Sequence, residues 1–558
     1  MADSRAEEWL KRSDSAFESL AGYFALCDDL AEIFYPERGG FSCEEALTGD
    51  EHYRALYDGH PVLMRWRLGN AVGAMSRGRG REWFKAKAFP YWLNKLASVA
   101  AWNEDTTETQ RAIIYDPRAQ FTPQMGLGDQ DYVTFGTAVA KITENRDHSG
   151  LLFKTPHLKG LAPEENAEGV IDVTHERPRL TARVVGQMFP HARAKMSRAM
   201  KEAIDKDGTK PLDAVAQCVF PIEEYEPGSD RRPPRGARFV SLYMDRDEMT
   251  VLDAQYFYSF PYVWRRWNRA ASGHVMGLSP CALVGLADGR MSQDIARTLG
   301  EAMEYAADPA KMIVASAIEG NLDLAPSGEN YVNRKFDFRT GDPIKAVDNG
   351  AMPTYAFEYH KHKQAFVGQS WLVNILTLPQ DRDLTKYEAS KLLEEDAREA
   401  APIFEPMEAD NAAIMARSFS VADRWGAFAE RPEEMRGAEV RHEFETPVTI
   451  ALDRLRAEQG MQAVGAVKAF GELEMGFGKT AAYRRVNISA IQRDVFRGIG
   501  PADWLRDEEE AQADIEADEE KAAMAEVLGV AKETGLFEAD KGGAKQPLAL
   551  PAPATNGA

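Results

Sequence analysis

Cysteine is scarce and scattered: Cys27, Cys43, Cys218 and Cys281 are the four in 558 residues, and none forms a C-x-x-C pair. The chain therefore offers neither a zinc knuckle nor a disulfide framework, and reduced structural thiols are expected. No run of eighteen apolar residues occurs, so no spanning helix is expected, and nothing before Glu7 to Trp9 resembles a signal peptide. Positive charge is short, with 67 Lys and Arg against 88 Asp and Glu and a formal net charge of −21. That balance argues against a surface that embraces nucleic acid by counterion release, so any DNA contact should be local. Internal repeats are also missing. What is present is a chain that is 44% hydrophobic and 28% charged. It is long enough for about three or four domains and apolar enough for a sizeable core.

From Ser4 to Phe34, apolar residues recur at helical spacing (Trp9, Leu10, Phe17, Leu20, Phe24, Cys27, Leu30, Phe34), which predicts one amphipathic helix ended by Pro36 and Gly39-Gly40. Further helices are predicted over 51–75 and 91–121, with a short strand at Trp83-Phe84 between them. From Asp131 the period changes. Tyr132 to Phe135 and Ala138 to Thr143 read as strands broken at Gly136, where only a small residue avoids crowding. More strands follow at 151–153, 170–174, 215–222, 239–244 and 254–258, with a Pro/Gly-rich hairpin tip over 226–238. Antiparallel pairing should thus dominate 130–260. Ser292 is a plausible N-cap for a helix ended by Pro309, and Pro353 opens another that should run to about Leu376. Between them lies a compact Gly- and Asp-rich stretch of about 45 residues. Thr377 to Asp383 is polar loop, and Thr385 with Glu388 forms a capping box for a helix kinked at Pro402 and Pro406, whose apolar spacing resumes through Ile414, Val421 and Trp425. The last hundred residues read as helical and acidic: nine acids and no base lie between Asp507 and Glu520.

Motifs for catalysis fail on inspection. Met475-Gly476-Phe477-Gly478-Lys479-Thr480 resembles a phosphate-cradling loop, but Leu473 stands where its first Gly belongs. Only 78 residues follow Thr480, too few for the remaining strands of a nucleotide-binding sheet. His360 and His362, two apart on a helix, point to roughly opposite sides and cannot share a metal. His175-Glu176 and His442-Glu443 lack the second His of a zinc-protease helix, and Gly277 to Cys281 lacks the second Gly of a nucleophile elbow. Gly126-Leu127-Gly128 is followed by Asp131 rather than the Gly of a dinucleotide fingerprint. These residues suit turns and surfaces better than sites, and no catalytic, cofactor-binding or metal-ligating residue is assigned.

A different constellation remains. Phe260-Pro261-Tyr262-Val263-Trp264-Arg265-Arg266-Trp267 leads into Gly277-Leu278-Ser279-Pro280 and then a helix. Here the chain resembles the podovirus head-to-tail connector, the portal family of short-tailed bacteriophages, which carries a Pro-aromatic-x-x-x-Arg-Trp stretch followed by a Gly-Pro turn. Met276 and Ser279 depart from that turn. Other matching segments fall in the same order: Tyr35 to Arg38, Asp131 to Ala140, Val170 to Val173, Arg179 to Arg183, Leu384 to Ala389, Phe404 to Met407 with Trp425-Gly426, and Arg497 to Pro501.

The resemblance implies an α+β portal fold. Its parts would be a wing over 1–285, a stem helix over 286–310, a clip over 311–352, a second stem helix over 353–376 and a tunnel loop over 377–386. A long kinked helix and wing return over 387–480, a helical crown over 481–541 and a disordered tail over 542–558 complete it. It implies a ring, a dodecamer, at one capsid vertex of the virion, made in the host cytoplasm. Double-stranded DNA would pass through without sequence specificity, and the major capsid protein, terminase and tail adaptors would dock on it, with no membrane and no cofactor. Lys361, Lys363, Arg382 and Lys386 are the candidates for transient phosphate contact in the channel. A minor capsid or scaffolding protein, and a packaging ATPase built on the Lys479 segment, are the alternatives.

Overall fold

The computed structural model describes residues 3–445 apart from 44–52, 54–55, 81, 146–149, 226–232, 270–274, 320–330, 338, 340, 347–353 and 373–405. Beyond 445 it describes 457, 459–465, 468, 491 and 495. The chain divides into two units, 1–449 and 450–558. In the second unit, residues 459–465 are helical, and Gly460 packs so closely that a Cβ there would lie 2.9 Å from the Val495 side chain.

The first unit has ten helices that matter here: α1 (Ser4–Ser19), α2 (Ala21–Phe34), α3 (His60–Ser76), α4 (Ala97–Ile114), α5 (Phe121–Phe135), α6 (Ala182–Met188), α7 (Arg198–Lys206), α8 (Pro280–Ala307), α9 (Thr354–Ser370) and α10 (406–424). Its main strands are β1 (Phe84–Phe89), β2 (Thr137–Glu144), β3 (Leu151–Lys154), β4 (Leu161–Glu165), β5 (Ile171–Glu176), β6 (Val215–Pro221), β7 (Phe239–Asp245), β8 (Thr250–Phe257) and β9 (Tyr262–Arg266). Short strands β10 (Lys311–Ile313), β11 (Ile318–Glu319), β12 (Tyr331–Val332) and β13 (Ile344–Ala346) follow, and β14 (Glu439–Phe444) is last. Strands β4 to β8 make a five-stranded antiparallel meander, β9-β2-β3 a second antiparallel sheet, and β1 pairs with the distant β14. The architecture is α+β, as the sequence implied.

Several boundaries move for identifiable reasons. The expected helix over 4–34 is two helices, because Leu20 takes φ −93°, ψ −1° and its N–H turns back to Phe17 and Glu18. Each half serves a different core: Trp9 of α1 stacks on Phe220 of β6 at 3.7 Å, while α2 buries Phe24, Leu30 and Phe34 against α3, α5 and α8. The helix expected from 51 starts at His60, whose N–H donates to the Asp58 side chain, with Pro61 in its first turn. The 91–121 helix is α4 flanked by short 3₁₀ turns at Tyr91–Lys95 and Pro117–Ala119, since Pro117 cannot continue it.

The run Tyr132 to Phe135 is not a strand but the last turn of α5. Met125 and every residue from Gly128 to Phe135 is buried, so no apolar stripe distinguishes the helix in sequence. Gly136 ends it as a left-handed cap at φ +74°. Ser292 is no N-cap either. Ser279 caps α8, accepting from the Ala282 N–H at 3.2 Å with Pro280 next, and Ser292 is buried mid-helix. α9 stops at Ser370, short of the expected Leu376. The other strands lie close to where they were expected.

Residues 377–386, including Arg382 and Lys386, lie outside the described residues. So do Lys479 and its segment, the Thr385 and Glu388 capping box, Pro402, the crown apart from 491 and 495, the tail, and most of the hairpin tip.

Candidate functional site

Four of the segments that carry the resemblance, Tyr35 to Arg38, Asp131 to Ala140, Phe260 to Trp267 and Gly277 to Pro280, meet at the C-terminal end of α5. Gly136 and Gly277 lie back to back: a Cβ on Gly136 would sit 2.1 Å from the Leu278 carbonyl carbon, and one on Gly277 would sit 2.5 Å from the Gly136 oxygen. The Gly277 N–H donates to Thr137 Oγ1 at 2.8 Å, Trp267 N–H to the Gly136 carbonyl at 2.9 Å, and Ser279 Oγ to the Val133 carbonyl at 2.5 Å. Trp267 stacks on Tyr132 with centroids 5.4 Å apart and planes 7° from parallel. Arg38, from the Tyr35 to Arg38 block, pairs with buried Asp131. Burial pushes the Asp131 carboxyl up, and Arg38, Arg65 and Arg265 only partly offset it. Arg266 pairs with Glu165 and donates to the Val275 carbonyl at 3.1 Å.

Beside this knot, Asp129 bridges two buried guanidiniums, Arg77 and, at 2.8 Å, Arg265. Asn411 of α10 accepts from Arg77 at 3.0 Å. Asp410, its neighbour, keeps an unpartnered buried Oδ2. Sequence reasoning quoted Arg265 and Arg266 but missed Asp129 and Asp410. The available signal was Asp129-Gln130-Asp131, three polar residues in a row inside an otherwise apolar helix.

The knot launches a pair of packed helices. α8 leaves it directly after Pro280, α9 packs alongside, and Gly285 and Gly289 let α8 approach Trp371 and Phe34. At their base Asp58 ties three elements together: it accepts from Ser292 Oγ of α8 at 2.5 Å, from Gln364 Nε2 of α9 at 3.2 Å, and from the His60 N–H at 2.9 Å. Burial acts to raise the Asp58 pKa, but these hydrogen bonds prevail and hold it below the ordinary carboxylate range. Between the helices run two small antiparallel ladders, β10 with β13 and β11 with β12.

Away from the base the helix pair is unusually apolar toward solvent. Met291, Ile295, Leu299 and Ala302 of α8 and Tyr355 and Tyr359 of α9 line an open groove of about 700 Å³, with Asp294 and Glu358 among its polar members. Tyr355 is 77% exposed and Tyr359 47%.

Lys361 and Lys363, the two described channel candidates, lie on α9 but do not converge, since residues two apart on a helix diverge. Lys361 is exposed. Lys363 is already matched by Asp288 of α8 at 2.7 Å, and that hydrogen bond raises the ammonium pKa.

Two other places look chemical and are not. Cys218 lies 3.1 Å from His175 Nδ1, whose Nε2 lies 2.7 Å from Glu164, the order of a thiol-protease triad. Cys218 and His175 are wholly buried, however, and burial drives the thiol pKa far up, so no thiolate forms to attack anything. Glu164 is held at about 2: burial opposes, but His175 and Arg12 outweigh it. A cleft of about 1050 Å³ beside α1 and α2 is lined by Arg177, Arg179, Arg246 and Lys159. Asp14 and Asp213 pair with the arginines, and Glu18, Glu37 and Glu176 also line the cleft, so it carries no excess of positive charge for an anion.

The family model for the bacteriophage head to tail connecting protein matches residues 6–503, spanning every block of the knot and the helix pair. The chain belongs to the head-to-tail connector family. A probable portal protein of Bordetella phage BPP-1 is 22% identical over 315 residues, 55% of this chain and 54% of the phage protein. The chain thus spans about half the length of the curated relative it matches. Among solved structures, a chain in the virion of a native gene transfer agent particle aligns over 73% of this chain and 88% of its own at 11% identity, with a TM-score of 0.36. In this connector family member the close contacts described in the knot join backbone, glycine, hydroxyl, aromatic ring and internally paired charge. Among the described residues no group of three or more His, Cys, Asp or Glu could hold a metal ion, and no helix is long and apolar enough to cross a membrane.

Proposed function

We propose that the protein is a portal: the subunit of a ring, twelve-fold as in the podovirus connectors it resembles, at one capsid vertex. Double-stranded DNA enters and leaves along the ring axis, and the major capsid protein, terminase and tail adaptors bind the ring. The observation that carries this reading is the match to the connector family over 6–503. The solvent-facing apolar groove on α8 and α9 supports it. A closed ring needs a heterologous contact, in which one face of a subunit meets a different face of the next, and a one-sided groove suits that geometry. Its occupant in this reading is a second copy of the chain. The acidic balance fits passage of DNA, because a wall that mostly repels phosphate lets the duplex slide where a basic wall would hold it. Residues 1–285 would form the wing, α8 and α9 the stem, 311–352 the clip and 377–386 the tunnel loop, with Lys361, Arg382 and Lys386 touching phosphate in passing. Lys363 would keep its bond to Asp288 instead. No nucleotide hydrolysis belongs to this reading.

Negative-stain microscopy of the purified full-length protein tests it. Rings with an axial hole are expected; shells, or monomers at every concentration, would overturn it. In a phage carrying Arg382→Gln with Lys386→Gln, ring formation should persist while packaged or retained DNA changes.

A further inference from the structure

The two outer edges of the β1–β14 ribbon differ. Lys85, Lys87 and Phe89 face Glu443, Arg441 and Glu439 across it, and the Glu445 N–H donates to the Trp83 carbonyl. The Ala86 N–H turns away from β14 and donates to Thr107 Oγ1 of α4 at 2.9 Å. The Ala88 N–H does the same to Asn94 Oδ1 at 2.9 Å, and Asn94 Nδ2 donates back to the Ala88 carbonyl at 3.0 Å. Side chains thus close the outer edge of β1. Backbone direction alternates along an antiparallel pair, so the same register aims the N–H and C=O groups of Val440, His442 and Phe444 away from β1. Among the described residues none bonds to these backbone groups, and all three residues are only half-buried. The strand that carries them is held firmly. His442 Nε2 lies 2.9 Å from Gln110 Oε1, the Phe444 ring stacks on Trp83 with centroids 6.0 Å apart, and the Arg441 guanidinium lies 3.7 Å over the Phe89 ring. An open edge is a template for a further strand, and a rigid one spares the incoming chain the cost of ordering its host.

We propose that the open edge of β14 is a docking site for an extended segment of another protein, which adds a third strand to the ribbon. Backbone bonds to Val440, His442 and Phe444 supply the attachment, and side chains supply the choice. Glu439, Arg441 and Glu443 stand on the exposed face of β14 in the order acid, base, acid, with Arg441 also reaching Glu439 at 3.1 Å. Like charges directly opposite one another on neighbouring strands repel, and unlike charges attract. The fitting occupant therefore reads base, acid, base at alternate positions, with apolar or small residues between them. That order is the same in both directions, so it serves parallel and antiparallel entry alike. No strand among the described residues carries it, so the described strands of a second copy do not supply it. Docking needs one folded subunit and no ring, so its failure leaves the portal reading standing.

Residue-resolved hydrogen exchange on the full-length protein tests it, alone and with the synthetic peptide Thr-Lys-Val-Glu-Val-Lys-Thr. Alone, the amides of Val440, His442 and Phe444 should exchange fast and those of Arg441 and Glu443 slowly, since only the latter are bonded to β1. The peptide should slow the three fast amides. The charge-reversed peptide Thr-Glu-Val-Lys-Val-Glu-Thr should need a concentration about tenfold higher for the same protection. Glu439→Lys and Glu443→Lys combined with Arg441→Glu should invert that preference, a result that misfolding cannot produce. Val440→Pro removes one outward N–H, which an edge strand tolerates, and should weaken binding while leaving exchange along β1 unchanged. If Val440→Pro does not fold, the charge-exchanged variant decides. Val440, His442 and Phe444 amides already slow in the protein alone would mean that a second copy covers the edge and would overturn the proposal. A peptide that protects none of them, or protects them whatever its charge order, would overturn it equally.

Discussion

Gly136 stands where a helix must stop and another backbone passes. A side chain there meets two obstacles, the left-handed φ of +74° and the Leu278 carbonyl carbon 2.1 Å from any Cβ. Gly136→Ala is expected to cost about 3 kcal/mol or more, since the methyl cannot be accommodated without parting β2 from the Gly277-Leu278 turn. Equilibrium unfolding in urea measures this, and a loss under about 1 kcal/mol would mean that the turn yields easily. Crowding at Gly136 was legible from the sequence, because a lone glycine between bulky apolar residues marks a close approach. The helix before it was not legible. Tyr132 to Phe135 are packed on all sides, and such a residue run has the same composition in a strand and in a buried helix end. Asp129 was invisible for a related reason: the meaning of a buried carboxylate lies in partners 52 and 136 residues away.

At the scale of elements, four strands of the five-stranded sheet were read from sequence, while β4, β9 and most helix ends were not. β1 alternates buried and half-buried residues along its length, the period-two pattern that sequence displays directly. α8 was read thirteen residues short because Ser292 has the chemistry of a cap; its hydroxyl instead goes sideways to Asp58. That bond suggests a test of what holds the helix pair. Asp58→Ala strands Ser292 Oγ, Gln364 Nε2 and the His60 N–H together, and about 2–4 kcal/mol of stability should go with them. Hydrogen exchange should show the loss concentrated in α8 and α9 near the base. Uniform exchange changes across both sheets would count against Asp58 as the local tie.

At the scale of the whole molecule, the exposed aromatic stripe calls for cover. Tyr355 and Tyr359 expose large rings to solvent on a helix that buries Val367 and is followed by buried Trp371. Tyr355→Glu with Tyr359→Glu should leave the subunit's melting temperature within a degree or two of wild type, since neither ring is buried within the chain. The same double variant should abolish ring assembly by burying two carboxylates at the subunit contact. Light scattering together with microscopy checks both halves; intact rings would remove the groove from the contact. Composition, acidic balance, strand positions and the order of the family blocks were determined by the sequence alone, because they depend on residue type, on local period or on order along the chain. The tertiary structure decided where α5 ends, that Gly136 meets Gly277, that Lys363 belongs to Asp288, and that Asp129 bridges Arg77 and Arg265. Each of those depends on which distant backbone closes over a side chain, and that is set by packing rather than by any neighbour in sequence.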